Sequence, residues 1–193
     1  MEKSLSIIHE PLVQSSPHRS ITELHAALDL LSELPKDLGR LACIVRRPTN
    51  DRREELDRVD LTPEEGLPGD KWGRQLSRNP EAQLAVMRRD VAEFIANGQS
   101  LTVFGDSLFV DLDISASNLP AGARLRVGEA VVEVTPLPHN GCRKFHERFG
   151  PDALSFVNAK ATRALNLRGI YWRVVAPGLV RVGASIRVLS RGG

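Results

Sequence analysis

Aromatic residues are scarce: six Phe, two Trp and one Tyr among 193 residues. No stretch interleaves them with basic side chains, which excludes a stacking platform for single-stranded nucleic acid. A surplus of one charge is missing too. Twenty-six Lys and Arg stand against 24 Asp and Glu, a formal +2 with His neutral, so no strong field for nucleic acid arises. The longest apolar runs are far too short to span a bilayer, and the first twenty residues lack the basic and apolar regions of a secretory signal. Only two cysteines are present, too few for a disulfide scaffold, and a reducing cytoplasm is the expected compartment. One Cys43–Cys142 bridge is conceivable, but sequence does not give the geometry it needs. Also absent are a G-x-S-x-G elbow, a Walker loop, an H-E-x-x-H pair and a Rossmann glycine pattern. What remains is a globular chain of ordinary single-domain length, able to bury a full core without staples.

The hydrophobic pattern supplies the elements. Residues 1 to 19, with Pro11 and Pro17, read as irregular. Ser20 and Glu23 form a capping box, and Leu24, Leu28 and Leu31 follow as the apolar stripe of a helix that Pro35 and Gly39 stop. Arg40 to Arg47 reads as a strand with Leu41, Cys43 and Val45 on one face, which makes Cys43 a buried apolar residue. Residues 48 to 58 read as a charged loop. Leu67 to Gly73 marks a turn, and Trp72 within it is either a lid on a pocket or a plug on the core. A strand at Gln83 to Met87 and a helix at Arg89 to Asn97, capped by Gly98, come next.

Beyond this point the chain is mostly β. Leu108 to Leu112 and Arg124 to Val127 are strands. Gly128 and Glu129 form a type II′ hairpin leading to Ala130, Val132 and Val134. Pro151 opens a helix with a stripe of Leu154, Val157, Ala161 and Leu165. A closing β-meander runs through Ile170, Trp172 and Val174, turns at Pro177–Gly178, and returns through Val180, Val182, Ile186 and Val188. Short strands at close spacing, with about four helices, predict a mainly β fold: a β-barrel with helical decoration.

One stretch stands apart. Thr135 to Gly150 reads TPLPHNGCRKFHERFG. Pro136, Pro138, Asn140 and Gly141 place Cys142 on a turn or loop. His139, Arg143, Lys144, His146 and Arg148 surround it in sequence. Positive charge beside a thiol favours the thiolate, the form that attacks and binds metals. His139-x-x-Cys142-x-x-x-His146 also offers three zinc ligands, although structural zinc normally shows paired ligands at tighter spacing. A papain-like Cys–His pair finds no oxyanion or orienting partner in the sequence. The plainest alternative is an interaction domain with a structural cysteine.

Several short motifs in order resemble the MOSC domain, the module named for the C-terminal part of molybdenum-cofactor sulfurase. They are Gly69-Asp70-Lys71-Trp72, Gly105-Asp106-Ser107-Leu108, Glu133-Val134-Thr135 leading to Pro138-His139-Asn140-Gly141-Cys142, Leu167-Arg168-Gly169-Ile170, and Val174-Val175-Ala176-Pro177-Gly178. The resemblance runs from about Gly66 to Val188. It implies a β-barrel of the pyruvate-kinase-barrel type. Residues 1–60 are expected to supply a helix, a strand and a loop packed on a barrel of residues 61–193, all in one structural domain.

The resemblance further implies molybdenum-cofactor chemistry. Cys142 becomes the catalytic residue and the metal ligand, with His139, Arg143, Lys144, Arg168, Asp70, Lys71 and Trp72 around the cofactor. Some relatives reduce N-hydroxylated compounds; others were proposed to carry sulfur as a persulfide on the same cysteine. The partners implied are a cysteine desulfurase or a redox protein, with no nucleic acid and no membrane. Pyridoxal phosphate belongs to a domain fused to some relatives, and none is expected here. Ser107 stands where the family often has Asn, and Gly183 is followed by Ala184 where Gly-Asp is usual.

Overall fold

A computed structural model describes residues 18–31, 33–50 and 52–192; the irregular reading of residues 1–17 lies outside them. The described strands are β1 (Leu38–Arg46), β2 (Glu54–Glu55), β3 (Arg58–Leu61), β4 (Leu84–Arg88), β5 (Leu108–Asp111), β6 (Arg124–Val127), β7 (Ala130–Val134), β8 (Ile170–Ala176), β9 (Gly178–Arg181) and β10 (Ser185–Ser190). The helices are α1 (Ile21–Asp29), α2 (Arg89–Ala96) and α3 (Arg143–Val157), the last broken at Gly150 into two segments.

Seven strands close a barrel in the order β1–β10–β6–β7–β8–β4–β5, and β5 pairs back onto β1. All neighbours are antiparallel except β4 and β5, which α2 joins as a crossover. β2 extends β1 at one end, and β3 and β9 form a separate ribbon. The fold is therefore a mainly β barrel with four helical segments, as the strand pattern predicts. The barrel includes β1, so residues before 61 supply one of its staves.

Period-two alternation fills the barrel. Leu84, Val86, Leu125, Val127, Val132 and Trp172 point into one apolar core. A second core lies outside the wall, where Val45, Met87 and Phe109 meet Leu24 of α1, Val91 and Ile95 of α2, and Phe145, Phe149 and Phe156 of α3. Each such fully buried side chain contributes about 1.5–3 kcal/mol. The Ser20–Glu23 capping box forms as expected, with Glu23 N donating to Ser20 Oγ and Ser20 N donating to Glu23 Oε2.

Local readings needed correction where tertiary contacts decide. In β1 the register shifts between Leu41 and Cys43, so Leu41 and Ile44 face the barrel interior while Cys43 and Val45 face the helices. A bulge of this kind resets the alternation without a sequence mark. Gly39 lies inside β1 and ends no helix. The charged stretch 48–58 includes β2 and the start of β3. The left-handed residue ending α2 is Asn97, followed by Gly98.

The closing meander does not form. β8 pairs with β7 and β4, β9 with β3, and β10 with β6 and β1. Pro177–Gly178 reverses nothing; a Cβ at Gly178 would come within 2.4 Å of Glu129 C and 2.5 Å of Ala130 N, so the glycine lets β9 cross the β6–β7 hairpin. Pro151 begins only the second segment of α3, and Leu165 and Ala161 lie exposed beyond its end.

Candidate functional site: a thiol in a cationic hollow

Cys142 is exposed and occupies the N-cap position of α3, with extended backbone. Its carbonyl accepts from Phe145 N at 2.9 Å and His146 N at 3.0 Å. Gly141 N donates to Asn158 Oδ1 at 2.8 Å, which ties the loop to the far end of the same helix. The approach is close: a Cβ at Gly141 would lie 2.7 Å from Leu154 Cδ1. The sequence therefore holds the thiol at a helix start, where free backbone N–H groups and the helix dipole favour anions.

Behind the loop lies a buried charge cluster. Asp106, fully buried, accepts from Arg168 Nη1 with both oxygens, at 2.8 and 2.9 Å. The Arg168 guanidinium sits over the Phe145 ring at 4.9 Å, coupling this pair to the first turn of α3. The His139 ring packs at a tilt against Tyr171, centroids 4.3 Å apart, and its Nδ1 lies 3.7 Å from Asp106 Oδ1, too far for a hydrogen bond.

The protonation states follow. Burial alone would raise the Asp106 carboxyl, but Arg168, by charge and hydrogen bond, and Arg47 outweigh it and hold it below the usual carboxylate range. Burial, with Arg168 second, pushes His139 down to about 3, so the ring is neutral near pH 7. Burial likewise raises the Tyr171 phenol.

Cys142 opens onto a cavity of about 360 Å³. Among the described residues six cations line it, Arg47, Arg53, Lys71, Lys144, Arg148 and Arg168, and no carboxylate does. Arg47 is matched by Asp70, and Arg168 by Asp106. Among the described residues Arg53 donates to the carbonyls of Phe104 and Asn50, and Arg53, Lys71, Lys144 and Arg148 make no ion pair. Burial first, then the like charges of Lys144, Arg47 and Arg53, lower the Lys71 ammonium; burial and Arg53 lower Arg148. Such crowding stores a demand for an anion.

The structure brings together most of the residues that the sequence points to. Cys142, His139, Lys71, Trp72, Lys144 and Arg168 all line this cavity. Trp72 is both wall and plug: it is 7% exposed, and its indole N–H donates to Asn79 O at 3.0 Å. Asp70 does not line it. Its carboxylate is buried and accepts from Arg47 N, Nε and Nη2 and from Trp72 N, so it positions Arg47, which also donates to Gly105 O. Burial would raise the Asp70 carboxyl, yet Arg47 and these N–H groups keep it lowered. Arg143 is 86% exposed, pairs with Glu147 and does not line the cavity.

Sequence reasoning passed over Arg47, Arg53 and Tyr171, which arrive from distant segments. Arg148 carried a readable signal: on a helix starting at Cys142 it falls on the same side as Phe145 and Phe149. Among the described residues no three His, Cys, Asp or Glu side chains gather to hold a metal, so the His139–Cys142–His146 zinc reading loses its ligand set. Both cysteines are free, which removes the Cys43–Cys142 bridge, and Cys43 is half-buried with its thiol pushed up to about 11 by burial.

The profile of the MOSC domain matches residues 68–187, well over half of the sequence. The chain belongs to the MOSC family. Solved structures agree on the fold. YuaD from Bacillus subtilis superposes with a TM-score of 0.57 at 19% identity, covering 78% of this chain and 95% of that one. YiiM from Geobacillus stearothermophilus gives 0.57 at 15%, covering 80% and 76%. YiiM from Escherichia coli gives 0.53 at 25%, covering 79% and 70%. A search of curated proteins returns no match. In this MOSC chain Ser107 is buried, donates its N–H to Ala85 O and lies 3.5 Å from Arg47 Nη2. Ala184 keeps its turn, donating to Arg181 O and accepting from Leu41 N. Among the described residues no helix is long and apolar enough to cross a membrane.

Proposed function

We propose that this MOSC protein binds a molybdenum cofactor, with the Cys142 thiolate as metal ligand, and acts in the reduction of N-hydroxylated compounds or in handling of the cofactor. The observation that carries the reading is the exposed thiol at a helix start inside a hollow that, among the described residues, has six cations and no carboxylate. The donor set fits the group. A thiolate is a soft ligand suited to such a metal. The pterin carries a phosphate, and Lys71, Lys144, Arg53 and Arg148, which make no ion pair among the described residues, are the cations to hold it. A volume of about 360 Å³ lies within the range of small-molecule sites. When bound, the cofactor supplies two-electron chemistry at the metal. The chain's own part is to anchor that metal through Cys142, neutralise the phosphate, and present the neutral His139 imidazole beside it. A redox partner protein would deliver electrons.

Exposure of Cys142 supports a second reading, a persulfide carrier without metal. There the Cys142 thiolate attacks the outer sulfur of a cysteine desulfurase persulfide, and the desulfurase cysteine leaves as a thiolate. In both readings the protein works in the cytoplasm.

Metal and pterin analysis of protein made in a molybdenum-competent host, beside Cys142→Ala, tests the first reading. The expected result is molybdenum and pterin in near-equal amounts, with the metal lost from the variant. Absence of both from the parent protein overturns it. Added sulfur mass on Cys142 after incubation with a desulfurase and cysteine then supports the carrier reading.

A further inference from the structure

The loop from Pro136 to Asn140 separates the thiol's cavity from a second hollow of about 550 Å³. Among the described residues the two share only His139, Asn140 and Arg168, and Cys142 does not border the second one. Its size is that of a small-molecule site. Its walls are aliphatic: Leu119, Leu137, Val157 and Ile170, stiffened by Pro120 and Pro138.

Its polar groups are mostly spent on holding the walls. Thr135 Oγ1 donates to Glu81 O, Asn166 Nδ2 to Ile114 O, and Asn158 clamps Gly141. Few donors remain for a sugar or another many-hydroxyl ligand. The charges all have one sign. Lys160, Arg163 and Arg168 border the hollow, and among the described residues no Asp or Glu does. Asp106 neutralises Arg168, whereas Lys160 and Arg163 make no ion pair among the described residues. Both lie on the short turn of 3-10 helix Lys160–Leu165 at the rim.

We propose that this second hollow is a binding site for a small organic anion, with a carboxylate or sulfonate head against Lys160 and Arg163 and an apolar body against the aliphatic walls. An apolar body gains by leaving water, and the head meets cations that have no ion-pair partner among the described residues. The site stands independently of whatever Cys142 carries.

Calorimetric titration of the full chain with 2-naphthoate tests this. Saturable binding at one site is expected, and 2-naphthylmethylammonium, the same body with the opposite charge, does not bind. Ala161→Trp, which fills the hollow from the rim, weakens naphthoate by about tenfold or more, and the surface pair Lys160→Ala/Arg163→Ala by about fivefold or more. Lys71→Ala/Lys144→Ala, in the thiol's cavity, leaves the affinity unchanged. Failure to saturate, equal binding of the ammonium compound, or loss of binding in Lys71→Ala/Lys144→Ala with retention in Ala161→Trp overturns the proposal.

Discussion

His139 should set a measurable acid limit on stability. Its ordinary value is 6.5, and burial pushes it to about 3, with Asp106 too weak an opposing influence to restore it. The folded ring stays neutral where the unfolded ring takes a proton. Between pH 6.5 and 3 the unfolded chain binds more protons, so stability falls as pH falls. From pH 7 to pH 5, one such histidine removes about 2 kcal/mol. The depressed carboxylates Asp70, Asp106 and Glu133 act at lower pH: all three lie below their ordinary values, so their contribution is lost as pH falls from the ordinary carboxylate range through those lowered values. Urea denaturation of the parent protein and His139→Gln at pH 7 and pH 5 isolates the effect, since glutamine does not titrate. The parent should lose about 2 kcal/mol more than the variant between the two pH values. Equal losses would refute the assignment of a buried, neutral ring.

Other outcomes follow from the same geometry. Asp106→Ala strands the buried Arg168 charge and should destabilise by about 3–5 kcal/mol, read as a lowered denaturation midpoint. Cys142→Ala should leave stability within about 0.5 kcal/mol, because the side chain is exposed, while removing bound molybdenum. Iodoacetamide at pH 8 should modify the native protein once, at Cys142, and twice in denaturant, because the Cys43 thiol is half-buried and pushed up to about 11; peptide mass mapping reads the sites. Lys71→Ala/Arg148→Ala should weaken binding of inorganic pyrophosphate about tenfold by calorimetry, with a salt dependence shallower than the parent's.

The barrel was legible because half-buried strands write their register as alternation, as in Arg124 to Val127 and Ala130 to Val134. Pairing was less legible. Val180 and Ile186 are good strand residues, yet nothing local says that β9 joins β3 and β10 joins β1. The phase change in β1 was hidden because Leu41, Cys43, Ile44 and Val45 are all apolar. The site was half legible. Cys142 and its flanking cations are contiguous, so turn chemistry and charge exposed them. Gly150 and Pro151 read as a boundary, which concealed the first segment of α3 and with it the side that carries Arg148. Arg47 and Arg53 follow β1 and enter the hollow only once β1 is seated against β5. Asp70 was drawn to the cofactor by its motif, whereas its chemistry is spent on Arg47.

Closure of the barrel through β1 and β10 has a kinetic consequence. Leu38 meets Arg187, and Arg40 meets Ser185, across nearly 150 intervening residues. Contacts this distant form late, because the chain must lose much entropy before they reward it. During synthesis β1 waits with an open edge until β10 has left the ribosome. Slow, chaperone-sensitive maturation is the expected habit of such a sheet.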